Sequence, residues 1–375
     1  MPEPRIAGVM QGLAFQQRKG SAFYNLFQQL DESDNLSGIV DVGIPRWLRR
    51  ALRLKNGALD RVRWNAKDQL DPVRFNLMSR RAVRGLECFE GDFNALLQIG
   101  SNLDLNSFHQ PRAIPAFSFH DNNVYAYVRS LPKGLLPAER IQRAIDFEKR
   151  VYDGLSGIFT MSRTLARSFV EDFGLSEDKV HYAGFGSPFA AKSLEGKDYD
   201  QQRILFVASH SFERKGGVVL LEAFRQVKKQ FPRARLVMVG KEWNIDENGV
   251  EVHGFLNKGD PDDLEKYREL FKNASLFVMP SYTEAFGEVF IEAMSHGVPC
   301  IGANSGVMPE IVRDNHAGTV VGAGNHTELA ETILSYLSNP TALREMGEAG
   351  QRAVENEYNW QNVTGRINGV IERYI

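Results

Sequence analysis

At 375 residues the chain exceeds what one ordinary hydrophobic core organises, and its length predicts two domains. A composition of 43% hydrophobic and 25% charged residues is that of a soluble globular protein, and the longest apolar runs are strand-sized, far short of a membrane span. The formal net charge is −2; two cysteines, Cys88 and Cys300, give neither a disulfide framework nor a zinc site, and "MPEPRIAGVM" lacks the apolar stretch of a secretory signal, so a reducing, cytoplasmic setting is expected.

In chain order, "RIAGVM" and "LSGIVDV" read as strands, with a helix over "SAFYNLFQQL" between them. Between Arg46 and Arg84, twelve lysines and arginines stand against three aspartates, a local charge of +9 that leaves −11 for the rest. At the start of this segment Ile44, Trp47, Leu48, Ala51 and Leu52 follow helical spacing with arginines interleaved, which predicts a basic amphipathic helix. Two readings stay open: a surface helix with a solvated basic face, or a docking surface for a membrane face, a lipid phosphate or an acidic acceptor. No nucleic acid is expected, because no binding motif accompanies the charge. Strands over "ALLQIGS" and "AIPAFSFHD" follow, then helix "PAERIQRAIDFEKRVYDGL", strand "GIFTMS", helix "RTLARSFVEDFGL" and strand "KVHYAGFGS". Residues 188–202 break the periodicity with polar residues and read as a linker.

From residue 203 the alternation is plain. Strand "RILFVAS" leads through "HSFERKGG" into helix "VVLLEAFRQVKKQF". Strands "ARLVMVG" and "VEVHGF", helix "DPDDLEKYRELFKNA" and strand "SLFVMP" come next, then "SYTEAFGEVFIEAM". Strand "PCIGAN", a short helix near "MPEIVR", strand "GTVVGAG" and a helical tail from Thr341 complete the chain. Strands alternating with helices predict parallel α/β sheets whose ligands sit at the carboxyl ends of the strands, where "HSFERKGG" and "SYTEAFG" both lie.

In "ERKGG", Arg214 and Lys215 supply cations, and Gly216 and Gly217 admit close backbone approach at a helix N-terminus, which suits a phosphate or diphosphate. "EAFGEVFIEAM" offers a second helix N-terminus, with Phe286 and Gly287 in its first turn. Glu284 just before it reads either as an acidic cap or as a ligand contact; Glu292, beside Phe286, Val289 and Ala293, reads either as solvent-facing or as held by ligand hydroxyls. A diphosphate flanked by hydroxyl-binding carboxylates describes a nucleotide-sugar pocket.

The E-x7-E segment resembles that of the family-4 retaining glycosyltransferases. "HSFERKGGVVLLEAF", "RLVMVG", "VEVHGF", "SLFVMPS", "SHGVPCIGANSGVMPEIV" and a late "YNW" recur in the family's order over roughly residues 150–375. The resemblance implies a GT-B fold: two Rossmann-like βαβ domains with parallel sheets facing across a cleft, residues 1–190 on the acceptor side and 200–357 on the donor side, with a last helix at about 358–375 packing back on the first. It implies transfer of a sugar, with retention and without a metal or other cofactor, from a nucleoside-diphosphate sugar to an acceptor that is a glycan, a lipid-linked molecule or a small molecule. Arg214 and Lys215 would neutralise the leaving diphosphate, Glu284 would contact the donor sugar, and the backbone of Phe286 and Gly287, with Glu288 and Val289 of the same turn, would meet the sugar and phosphates. Glu292 would hold the ribose. "FSFHD" resembles the strand whose histidine reaches the sugar, which assigns His120 and Asp121 to the cleft, and Gly20 stands where the family opens with a glycine pair.

Three residues depart from the pattern: only Gly20 remains of that pair, Glu288 adds a negative charge to the phosphate-facing turn, and His210 replaces a frequent arginine. "DYD" at 198–200 resembles a metal-binding D-x-D but falls in the linker, and no histidine pair has metal-ligand spacing. The alternatives are a non-catalytic nucleotide-sugar-binding scaffold and an epimerase on the same fold. Peripheral contact with the inner membrane face through residues 46–84 accompanies the docking reading.

Overall fold

The computed structural model describes residues 3–12, 22–209 and 211–375; Gly20 and His210 lie outside them. The chain forms two compact units, the first ending at Gly184 and regaining Val363–Ile375, the second spanning Phe185–Asn362.

Unit 1 contains β1 (Ile6–Met10), α1 (Ala22–Glu32), β2 (Leu36–Asp41), α2 (Arg46–Lys55), α3 (Arg61–Gln69), α4 (Pro72–Glu87), β3 (Ala95–Ile99), α5 (Asn106–His109), β4 (Ala116–His120), α6 (Val124–Arg129), α7 (Ala138–Gly154), β5 (Gly157–Thr160), α8 (Arg163–Phe173) and β6 (Val180–Tyr182). Its parallel sheet has the order β2-β1-β3-β4-β5-β6. The inner strands β1, β3, β4 and β5 are short apolar runs buried on both faces, as parallel strands under helices must be, and the edge strands β2 and β6 are mostly half-buried. Helix ends follow local chemistry: the Ser162 hydroxyl accepts from the Leu165 amide to start α8, and Gly174, at φ +68°, ends it.

The basic segment forms α2, α3 and α4, and here the expected apolar stripe is corrected. Ile44 and Leu52 turn inward with Leu48 half-buried, but Trp47 is 70% exposed, and Leu54, outside the expected stripe, is 73% exposed. The helix is apolar along two edges, and only the edge through Leu48 and Leu52 meets the core. The Trp64 indole donates to the Arg53 carbonyl (2.7 Å), and buried Asn56 donates to Asp71 (2.6 Å), which ties α2 to α3 and to the start of α4.

Unit 2 contains β7 (Arg203–Ala208), α9 (Gly217–Gln230), β8 (Arg235–Gly240), β9 (Val250–His253), α10 (Pro261–Lys272), β10 (Leu276–Val278), α11 (Glu288–Ser295), β11 (Cys300–Ala303), β12 (Gly318–Val321), α12 (His326–Leu337) and α13 (Pro340–Asn356), with a π-helical turn at Pro309–Arg313. The parallel order β12-β11-β10-β7-β8-β9 reverses direction between β7 and β10, the place where such sheets open a crevice.

Residues 188–202 are not a loose linker. Lys197 donates to the carbonyls of Phe271, Lys272 and Ala274 (3.1–3.4 Å), and the Tyr199 hydroxyl donates to the Gly297 carbonyl (2.9 Å). The segment caps the end of α10 and belongs to unit 2. A last helix, α14 (Trp360–Ile371), begins in unit 2, where Trp360 packs on Phe185, and its residues from Val363 group with unit 1. There Asn368 donates to Asn35 (2.7 Å), and Tyr374, just past the helix, meets Phe117 edge-on.

Candidate functional site

The loop leaving β7 is shaped by packing before any ligand is considered. Phe212 wedges against Phe206 and Trp243 (ring centroids 5.9 and 5.0 Å), and Gly217 has no Cβ to collide with its ring. Gly216, at φ +80°, is the N-cap of α9, and a Cβ there would stand 2.3 Å from the Pro280 carbonyl oxygen. Only glycine lets this loop close on the segment leaving β10. The two segments are joined further by the Tyr282 amide donating to the Arg214 carbonyl (2.9 Å) and the Arg214 guanidinium donating to the Thr283 carbonyl (3.1 Å).

That closure brings Lys215 to Glu284. The ammonium contacts both carboxylate oxygens, at 2.6 and 2.8 Å, with the lysine side chain 18% and the glutamate side chain 6% exposed. The pair lies at the carboxyl ends of β7 and β10, on either side of the strand-order reversal. Glu284 is therefore not a helix cap: α11 has Gly287 as its N-cap, at φ +79°, and no side-chain cap bond. Phe286 and Gly287 precede the helix rather than occupy its first turn, because a left-handed glycine cannot continue into it. The Phe286 side chain is buried against Phe185 (4.6 Å), while Glu288 and Val289 are half-buried in the first turn.

Glu292 is 1% exposed, not solvent-facing. Its Oε1 accepts from the Lys258 ammonium and its Oε2 from the Tyr267 hydroxyl (2.6 Å). Burial, then the charges of Glu292 and Glu288, push the Tyr267 phenol well above its usual range, so it remains a donor. The sequence reading missed both partners. A lysine at the carboxyl end of β9, in "FLNKGD", was the available signal; Tyr267 on α10 had none.

In unit 1, His120 closes β4 and is 1% exposed. Its Nε2 bonds the Ser118 hydroxyl (2.7 Å), and its ring packs edge-on against Tyr152 and Phe169 (5.6 and 5.1 Å). Burial pushes the imidazole down to about 3, so it is neutral at physiological pH. Asp121, the next residue, is exposed. Among the described residues no group of His, Cys, Asp and Glu could hold a metal ion.

Residues 191–353 match the family model described as glycosyl transferases group 1. The chain is 26% identical over 239 residues to the MMP alpha-(1->4)-mannosyltransferase of Mycolicibacterium hassiacum, covering 62% of this chain and 57% of that protein. It is 29% identical over 187 residues to the phosphatidyl-myo-inositol mannosyltransferase of Mycobacterium leprae, covering 49% and 50%. It thus spans about half the length of these curated relatives. Among solved structures, sucrose-phosphate synthase from Thermosynechococcus elongatus superposes with a TM-score of 0.67 at 15% identity, covering 98% of both chains. The Anabaena protein HepE in complex with UDP and glucose superposes at 0.62 and 16%, covering 98% and 99%. Residues 191–353 are thus similar to the glycosyl transferases group 1 family, and the chain has the GT-B fold of two Rossmann-like units.

Proposed function

We propose that the protein is a retaining glycosyltransferase that moves a hexosyl group from a nucleoside-diphosphate sugar to an acceptor hydroxyl. The observation that carries this reading is the Lys215–Glu284 pair, enclosed between two glycine-led helix starts at the strand-order reversal of unit 2. Lys215, with Arg214 beside it, supplies positive charge for the diphosphate, and the N-termini of α9 and α11 add their dipoles. Glu284 takes hydroxyls of the donor sugar and Glu292 those of the ribose. HepE, of the same fold, forms a complex with UDP and glucose, and the mannosyltransferase relative acts in the same reaction class.

In the reaction, the bond between the anomeric carbon and the diphosphate oxygen breaks, and its electron pair leaves with the phosphate. The acceptor oxygen bonds that carbon from the same face, and its proton passes to the departing phosphate oxygen. Positive charge fixed in advance at the leaving group lowers the barrier without reorganisation at the moment of reaction. No metal is assigned, because Lys215, Arg214 and the helix termini fill that role; activity retained in EDTA is the expected result. The proposed setting is cytoplasmic.

The basic helices complete the reading as a peripheral contact with an anionic bilayer. Exposed Trp47, Leu54, Leu59 and Val62 stand among Arg46, Arg50, Arg53 and Arg61, and no helix among the described residues is long and apolar enough to cross a membrane. Thermal melting with UDP, GDP and ADP and with their sugar conjugates, followed by turnover with the matching nucleotide sugar, tests the donor reading. A shift with one nucleotide and sugar transfer support it; a shift without turnover leaves a binding scaffold, and no shift removes the donor site.

A further inference from the structure

Glu292 raises a question that the donor reading leaves unanswered. A carboxylate 1% exposed is costly unless its charge is matched and its oxygens bonded. The match comes from outside its helix, one partner on each oxygen: Lys258 from the loop after β9, and Tyr267 from α10. Lys258 is itself held in place. Its ammonium lies over the Tyr267 ring (4.6 Å) and near the Phe189 ring (5.9 Å), and its loop is pinned by the Asn257 amide donating to Asp263 (2.9 Å) and the Gly259 amide donating to Asn257 (3.2 Å).

We propose that Lys258 and Tyr267 are positioning residues that fix the Glu292 carboxylate as a two-pronged acceptor for the vicinal hydroxyls of the donor ribose, and that they thereby set the preference for ribo- over 2′-deoxyribonucleotides. This rests on the assignment of Glu292 to the ribose. A carboxylate offers about four lone-pair positions, two on each oxygen. Lys258 and Tyr267 take one on each oxygen, leaving acceptor capacity on both, which two adjacent hydroxyls can share where a single hydroxyl uses half of it. The partners also stop the carboxylate from rotating, so the free acceptor directions do not depend on the ligand. Tyr267 donates to the carboxylate, because its phenol keeps its proton. The arrangement excludes a second anion at this place and selects neutral donors, as a diol is.

The test is calorimetric binding of UDP and GDP, each against its 2′-deoxy form, to wild type, Glu292→Gln, Lys258→Met, Lys258→Arg and Tyr267→Phe, with melting temperatures recorded for all. Wild type is expected to favour the ribo form of the nucleotide it binds. Lys258→Met and Tyr267→Phe are expected to lower that ratio by about tenfold, the scale of one well-placed hydrogen bond to a charged group, while Lys258→Arg retains most of it. A merely structural role would lower the melting temperature and leave the ratio alone. If Lys258→Met does not fold, Tyr267→Phe and Lys258→Arg decide. A wild type that binds neither nucleotide, or a ratio that Glu292→Gln leaves unchanged, overturns the ribose assignment and this proposal with it. A ratio lost in Glu292→Gln but kept in both Lys258→Met and Tyr267→Phe overturns this proposal alone.

Discussion

Replacing Lys215 by methionine removes one charge from a pair that is nearly out of water. Glu284 is 8% exposed, and its two short contacts, at 2.6 and 2.8 Å, both go to the lysine ammonium. Breaking such a pair from one side leaves a buried charge without a partner, at a cost of about 3 kcal/mol or more. In a unit of this size, 3 kcal/mol corresponds to a fall in melting temperature on the order of 6–12 °C. Glu284→Gln costs less, because an exposed edge of Lys215 can turn towards water. The double variant Lys215→Met with Glu284→Gln removes both charges and is expected to recover part of the loss, giving a coupling of roughly 1–3 kcal/mol in the cycle. The unit 2 transition in calorimetry, unliganded, is the assay. Additive losses with no coupling would mean that the two side chains do not act as a unit.

The same cycle separates binding from turnover. Glu284→Gln frees Lys215 from its internal partner, so a nucleoside diphosphate is expected to bind as tightly or more tightly, while sugar transfer falls by about a hundredfold or more, the scale of removing a preorganised polar contact. Lys215→Met is expected to weaken both. A Glu284→Gln enzyme that loses diphosphate affinity and keeps its turnover would reverse the assignment of the two residues.

Gly216→Ala is expected to cost at least about 1–2 kcal/mol from the left-handed backbone alone, and more from its contact with the Pro280 carbonyl; a melting temperature equal to wild type would show that the loop closure is not required. Because His120 is neutral in the fold down to about pH 3 while the unfolded chain takes a proton near pH 6.5, wild type should lose stability relative to His120→Gln as pH falls from 6.5 towards 3, by up to about 1.4 kcal/mol per unit, and parallel curves would refute this. Iodoacetamide is expected to label exposed Cys88 and spare Cys300, whose thiol burial pushes far above its usual range; native labelling of both would contradict the packing of β11. Sedimentation with vesicles containing anionic lipid should fall with added salt and fall further in Trp47→Ala with Leu54→Ala, whereas binding indifferent to both would remove the membrane contact.

Unit 2 could be read from its sequence because its instructions are local. Most strands are short apolar runs, helices α9 to α13 begin at a glycine, an aspartate or an asparagine, and the two glutamates are fixed on one segment by their spacing. What escaped depends on contacts between distant parts of the chain. Lys258 and Tyr267 reach Glu292 from 34 and 25 residues away, and no spacing within α11 encodes them. Glu284 looked like a cap because it stands before a helix; Gly287 takes that place instead, leaving the carboxylate to the lysine across the sheet. In α2, two apolar edges compete for the core, and periodicity alone ranks Trp47 with Leu48 although only the second is drawn inward. The polar residues 188–202 suggested a linker, yet their lysine and tyrosine satisfy carbonyls at the end of α10 and near α11.

The two carboxylates of the proposed donor site are kept in the same way, each buried and each closed by a lysine from another loop, and this shapes how a ligand must enter on the proposed function. At Glu284 both oxygens face the same ammonium, so a diphosphate that draws Lys215 away leaves the carboxylate unmatched until the sugar hydroxyls arrive. At Glu292 the partners use separate oxygens, so on the proposed function the ribose hydroxyls need not displace either of them. Entry is then unequal along the ligand: the ribose end docks onto a finished acceptor, whereas the diphosphate and sugar must exchange partners together. A nucleoside diphosphate without its sugar satisfies Lys215 and strands Glu284, a state disfavoured by the buried charge. The intact donor satisfies both. On the proposed function the ion pair that closes the site favours donor over spent product, and Glu284→Gln, which removes the stranded charge, should erase that difference.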